Sequence, residues 1–116
     1  MRHRSKKTTL GRTKAPREAL LNNLLTQIII YEKVKTTEAK AKAIKPLIEK
    51  IITRGKNDTL NNRRILLSRL PIKKATKKVF EVLGPRYKDR KGGYLRIIKL
   101  GVRKGDGAKI VQIEFV

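Results

Sequence analysis

The chain has no cysteine, no tryptophan and a single histidine, and only nine of its 116 residues are Asp or Glu. Without cysteine it can form neither a disulfide nor a thiolate metal site, which fits a reducing compartment; the cytoplasm is the expected location. The lone histidine, His3, stands at the very start of the sequence. The carboxylates (Glu18, Glu32, Glu38, Glu49, Asp58, Glu81, Asp89, Asp106 and Glu114) are scattered singly. No two of them stand out as an acid/base couple, and no group has metal-ligand spacing. Gly101, Gly105 and Gly107 loosely suggest a phosphate loop, but neither G-x-x-x-x-G-K-[ST] nor G-x-G-x-x-G occurs. No catalysis, metal, cofactor or small-molecule substrate is therefore expected.

Long apolar runs are also missing. The most apolar stretch, ALLNNLLTQIIIY, is broken by Asn22, Asn23, Thr26 and Gln27, short of the ~20 apolar residues a spanning helix needs. A membrane is not an expected partner. The start, MRHRSKKTTLGRTK, has no apolar h-region, so no secretory signal is expected.

What the sequence does have is positive charge. There are 31 Lys and Arg, for a net charge of +22. Charge of one sign at that density repels itself and works against compaction, so a partner must supply the opposite charge. Yet 39% of the residues are apolar, too many for a disordered basic tail. The length suits one domain with a modest core.

The apolar spacing outlines that domain. Residues 1–14 hold six Lys and Arg and no acid, and read as a basic arm that cannot order itself by burial. From Pro16, the positions Leu20, Leu21, Leu24, Leu25, Ile28 and Ile29 make one helical face. The segment 32–37 reads as a short strand. Thr37 is an expected N-cap for a second helix that buries Ala43, Ile44, Leu47, Ile48, Ile51 and Ile52, with a kink expected at Pro46. Asp58 is the expected cap of a third helix, TLNNRRILLSRL. A fourth follows Pro71, with Ile72, Ala75, Val79 and Leu83 on one face, and Gly84-Pro85 is its expected stop.

Tyr94–Leu100 and Lys109–Val116 then read as strands joined by a glycine-rich hairpin link, GVRKGDGA. The expected fold class is α+β: a two-layer α/β single domain over 15–116, in the order α-β-α-α-α-β-β. Its sheet is small and mainly antiparallel. No repeat or linker divides the chain.

The basic residues form three clusters. Arg2, Arg4, Lys6, Lys7, Arg12 and Lys14 lie in the arm. Arg63, Arg64, Arg69, Lys73, Lys74, Lys77 and Lys78 run through the third and fourth helices. The third cluster, RYKDRKGGYLRIIKLGVRKGDGAK, packs nine Lys and Arg against only Asp89 and Asp106; it includes Arg86, Arg90, Arg96, Lys99, Arg103 and Lys104. Lys and Arg release counterions when they meet phosphates, and arginine and tyrosine planes stack on unpaired bases. Tyr94 is the expected aromatic face. Gly92-Gly93 reads as the turn into a strand, and its N–H groups are also suited to meeting a phosphate. A phosphate backbone is the best-matched partner.

MRHR, VKTTEAKAKA, NRRILLSRL and above all LGPRYKDRKGGYLRIIKLGVRKGDGA resemble the bacterial large-subunit ribosomal protein number seventeen over essentially the whole chain. The resemblance implies a structural component that binds large-subunit (23S-type) ribosomal RNA near the polypeptide exit. It also implies a contribution to subunit assembly and stability, neighbouring ribosomal proteins as partners, and a place in the cytoplasmic ribosome. The matched RNA-facing positions are Arg2, His3, Arg4, Arg63, Arg64, Arg86, Arg90, Tyr94, Arg96 and Arg103. The chain departs from the usual pattern at Pro16, Tyr31 and Leu95. The competing reading is a DNA-architectural protein of chromatin type, against which counts the absence of an arm tipped by an apolar wedge.

Overall fold

The computed structural model describes residues 9–116. Helix α1 (Lys14–Tyr31) buries Leu24, Leu25, Ile28 and Ile29, the face expected from their spacing. It ends on Glu32, which takes the left-handed conformation (φ 65°) and returns its N–H to the Ile28 carbonyl at 2.8 Å. Glycine usually fills that position because it has no Cβ to clash. Here a glutamate turns the chain straight into strand β1 (Lys33–Thr37).

Helix α2 (Glu38–Gly55) follows at once and runs through the centre of the molecule. Its buried stripe is Ala41, Ile44, Ile48, Ile51, Ile52 and Gly55; Ala43 and Leu47, expected in that stripe, are half-buried at its margin. Thr37 occupies the N-cap position without a side-chain capping bond. The helix runs unbroken past Pro46, whose side is exposed.

The cap of α3 (Leu60–Arg69) is Thr59 and not Asp58: the Thr59 hydroxyl accepts from the Asn62 N–H at 3.2 Å. Asp58 instead holds Arg63. A hydroxyl one residue nearer the helix satisfies the orphan donor and leaves the carboxylate free for a cation.

The last helical segment is longer than the Gly84-Pro85 signal suggested. Helix α4 (Lys73–Lys78) widens into a π turn (Val79–Leu83), and α5 (Gly84–Arg86) continues it. The Gly84 N–H reaches the Val79 carbonyl, so the wide turn carries the chain through both residues. Pro85 stands at the start of α5, where a missing N–H is tolerated. Gly84 is needed for contact with α2: a Cβ there would lie 2.4 Å from the Gly55 carbonyl oxygen.

Strands β2 (Leu95–Val102) and β3 (Lys109–Phe115) complete an antiparallel sheet of order β1-β3-β2. Directly paired residues share a face. The register therefore puts Val34, Ile97, Val111 and Ile113 toward the helices, and Lys33, Lys35, Arg96, Ile98, Gln112 and Glu114 on the open face. A register shift between Lys99 and Gly101 bulges the edge strand β2, which blunts its free edge. The result is the expected single α+β domain, with its helices on one side of a small antiparallel sheet.

Candidate nucleic-acid interface

The hairpin between β2 and β3 shows how this chain controls its charge. Arg103 grips Asp106 with two nitrogens, the Nε–Oδ1 distance being 3.0 Å. The Ala108 N–H also donates to Asp106, and the Arg103 N–H donates to the Ala108 carbonyl at 2.8 Å. The Asp106 carboxyl is held far below the usual carboxylate range, first by Arg103 and then by the Ala108 N–H. The tip is thus tied down, with Lys104 exposed on it.

The same device recurs through the basic surface. On the open sheet face Arg96 donates to Glu114, its cross-strand partner, at 2.7 Å, and Gln112 donates to the other carboxylate oxygen. Asp58 accepts from Arg63 at 2.7 Å, and the Arg63 guanidinium lies over the Phe80 ring. Glu32, aimed by its left-handed backbone, takes both Arg86 and Lys78. Glu38 holds Lys42. Each of these carboxyls lies below its ordinary pKa because a cation donates a hydrogen bond to it. Arg63, Arg86 and Arg103 are raised by the reciprocal bonds.

Four arginines expected at the interface, Arg63, Arg86, Arg96 and Arg103, are therefore oriented by carboxylates. Arg12, Arg64, Arg90, Lys99 and Lys104 are exposed and belong to none of these ion pairs. Arg90 bends back to donate to the Gly92 carbonyl at 3.2 Å. The expected contacts at Arg2, His3, Arg4, Lys6 and Lys7 lie outside the described residues.

Tyr94 is a correction. It was expected to offer an aromatic face to a base, but its side chain is only 1% exposed. Its ring packs 5.2 Å from that of Tyr87 beneath β2, and Lys56 covers it 4.9 Å from the centroid. The Tyr94 hydroxyl donates to the Arg90 carbonyl at 3.2 Å and lies 3.3 Å from the Thr53 hydroxyl. Burial tends to raise this phenol, but Lys56 and Thr53 outweigh it, and the group lies below its ordinary pKa. With its ring enclosed, Tyr94 fastens the 88–93 segment to α2.

Sequence reasoning missed the residues that meet across that junction. Lys56 donates to the Arg90 carbonyl from 34 positions away. Between α2 and the 91–93 turn lies an open groove of about 690 Å³, lined by Glu49, Lys50, Thr53, Arg54, Asn62, Lys91 and Gly92 among others. Lys91 and Gly92 were legible in the sequence as part of a basic, glycine-containing turn, but nothing local marks the α2 positions that face them. Among the described residues no group of three His, Cys, Asp or Glu could hold a metal, and no helix is long and apolar enough to cross a membrane.

A profile described as Ribosomal protein L17 matches residues 20–116. The chain is 50% identical over 107 residues to the large ribosomal subunit protein bL17 of Carboxydothermus hydrogenoformans, covering 92% of this chain and 96% of that one. Against the bL17 proteins of Thermodesulfovibrio yellowstonii and Rickettsia typhi it is 48% identical over all 116 residues, covering 87% and 85% of those chains. Matched from α1 through the last strand, the chain belongs to the ribosomal protein L17 family, and is a structural protein of the large ribosomal subunit.

Proposed function

We propose that the chain binds large-subunit ribosomal RNA near the polypeptide exit and thereby supports assembly and stability of the subunit. The observation that carries the reading is how unevenly the charge is settled within the fold. Only six basic side chains among the described residues reach a carboxylate. The remaining positive charge stands mostly exposed on rigid helices and a short sheet, and needs a polyanion to neutralise it. Residues 1–14, with Arg2, His3, Arg4, Lys6, Lys7 and Arg12, extend this surface as an RNA-contacting arm.

A protein of the large ribosomal subunit has ribosomal RNA and other ribosomal proteins as partners, and in bacteria it works in the cytoplasm. The DNA-architectural alternative gives way to that membership.

The decisive residue is Arg96. Its place in β2 and its bond to Glu114 fix the direction of its guanidinium. A preset planar fork grips phosphate or a base edge at two points, which a lysine cannot do. The test is a filter-binding titration against a large-subunit RNA fragment at several salt concentrations. Arg96→Lys should fall well short of wild type with a similar salt slope. Arg96→Ala should also flatten the slope by roughly one unit for a lost phosphate contact. Wild-type affinity for Arg96→Lys throughout removes Arg96 from the interface. Failure of the wild-type chain to bind the fragment in any salt overturns the proposal.

A further inference from the structure

The groove between α2 and the 91–93 turn holds the one carboxylate that the charge pattern leaves unexplained. Glu32, Glu38, Asp58, Asp106 and Glu114 each sit against a cation. Of the other four, Glu18, Glu81 and Asp89 are exposed and solvated, whereas Glu49 is half-buried in the groove wall. Among the described residues it has no cation within ion-pairing distance, in a chain of net charge +22. Its carboxylate oxygens are not buried away from water and stand free to accept from a ligand. A ligand that brings its own donors would supply the counterpart that the protein does not.

The opposite wall has the complementary property. Lys91 and Gly92 line the groove. Among the described residues, the backbone N–H groups of Lys91, Gly92 and Gly93 meet no acceptor. Gly93 has φ 62° and Gly92 φ 158°, yet a Cβ at either would meet open space. The glycines therefore serve the backbone conformation of the turn, not close packing. Free N–H groups on a turn are donors for an anion, and the Lys50, Arg54 and Lys91 side chains add positive charge around the groove.

A bare anion would be repelled by Glu49, and a cation by the lysines. The groove suits a ligand with an anionic end and a donor-bearing end, and its volume lies in the range of nucleotide-sized sites. Guanine is the base whose Watson–Crick edge offers two adjacent donors, N1–H and the N2 amine, which fit the two oxygens of a carboxylate. Within a duplex that edge is already paired, so the base must be unpaired, the usual object of sequence-specific RNA readout. Resting on the RNA-binding role proposed above, we infer that this groove captures an unpaired guanosine nucleotide of the bound RNA, its phosphate on the 91–93 turn and its base edge on Glu49.

The test is an amide-resolved NMR titration of the full chain with 5′-GMP, 5′-AMP, 5′-CMP, 5′-UMP, inosine 5′-monophosphate and inorganic phosphate. All the nucleotides should shift the Lys91, Gly92 and Gly93 amides, and inorganic phosphate, repelled by Glu49, should do so only weakly. GMP, and more weakly inosine monophosphate, should also shift those around Glu49 and Thr53. It should bind about tenfold more tightly than inosine monophosphate, which keeps N1–H but lacks the N2 amine. Glu49→Gln, which replaces one acceptor oxygen by a donor, should bring GMP down to the level of AMP.

The wild-type comparison of GMP with inosine monophosphate stands even if the variant misfolds. Equal affinity for all the nucleotides, or a GMP preference that survives Glu49→Gln, overturns the inference. Unchanged binding of the RNA fragment alongside such a result would remove the guanosine site and leave the interface standing. Loss of fragment binding by the wild-type chain would remove both.

Discussion

Gly84→Ala sets two effects of known size against each other. Gly84 has ordinary helical backbone angles (φ −56°, ψ −55°). On local grounds alone, alanine there should stabilise the helix by about 1 kcal/mol. The tertiary contact opposes this. The new Cβ would lie 2.4 Å from the Gly55 carbonyl oxygen, 3.0 Å from its carbon and 3.1 Å from the Val79 carbonyl oxygen. Normal contact is about 3.5 Å, so the helices must part by roughly 1 Å. The obstacle is backbone and cannot turn aside.

Overpacking of this kind costs about 1–3 kcal/mol and occasionally more. After the propensity gain, a net loss of up to about 2 kcal/mol is expected, a fall of up to roughly 8 °C in melting temperature. The assay is urea and thermal unfolding of both chains at matched concentration. Gly55→Ala provides the contrast, because its Cβ would meet a side-chain atom, Val79 Cγ1, at 2.4 Å. Val79→Ala should relieve Gly55→Ala, giving a coupling of about 1 kcal/mol or more, and should leave most of the Gly84→Ala penalty in place. A stabilised Gly84→Ala would refute the close crossing of α2 with the π turn. It would also loosen the seating of α5 and the 88–93 segment that forms one groove wall.

Other perturbations test separate parts of the account. Ile28→Ala empties a fully buried position of α1 and should cost about 2–5 kcal/mol by denaturant unfolding; a loss under half a kcal/mol would mean the helix faces the wrong way. Tyr94→Phe should cost about 1 kcal/mol for the lost hydroxyl bonds and change affinity for the RNA fragment less than threefold. A tenfold weakening with unchanged stability would restore Tyr94 to the interface.

The Glu32 carboxyl is lowered chiefly by Arg86, with Lys78 assisting. Its stabilising effect should be fully present above the unfolded-state value of about 4.3 and be lost as pH falls through the lower folded value. Glu32→Gln should flatten that acid limb in a pH series of unfolding midpoints. An unchanged limb would show that the Glu32 pairs contribute nothing to the folded state.

The elements that the sequence announced are those whose cause is local. Leu24, Leu25, Ile28 and Ile29 recur at helical spacing, and the one polar side chain buried with them, Thr26, bonds within the helix to the Asn22 carbonyl, so α1 needed no tertiary information. Val111 and Ile113 alternate, and β3 follows with its partners on the same face. Misreadings arose where a distant residue outweighed a local signal. Gly84-Pro85 carries every local mark of a helix stop, yet the chain stays helical there because Gly84 must touch Gly55. Asp58 was a good cap by type, but Thr59 was one residue closer to the orphan N–H. Tyr94 lies among basic residues in sequence and under Lys56 in space.

Composition alone called for a polyanionic partner. A net charge of +22 on a chain with a real core cannot be balanced from within, because nine carboxylates cannot neutralise 31 cations however they are folded. The binding class follows from that inequality, which no arrangement of the chain can alter. Which cations are left over is decided only by the tertiary structure. The carboxylates look isolated along the chain, but antiparallel pairing brings Glu114 beside Arg96, and the turn after α1 brings Glu32 to Arg86 across 54 positions. Folding likewise encloses Tyr94 and leaves Glu49 half-buried without a counter-ion among the described residues. Coulomb interactions depend on distance through space and on the surrounding dielectric, and sequence order encodes neither.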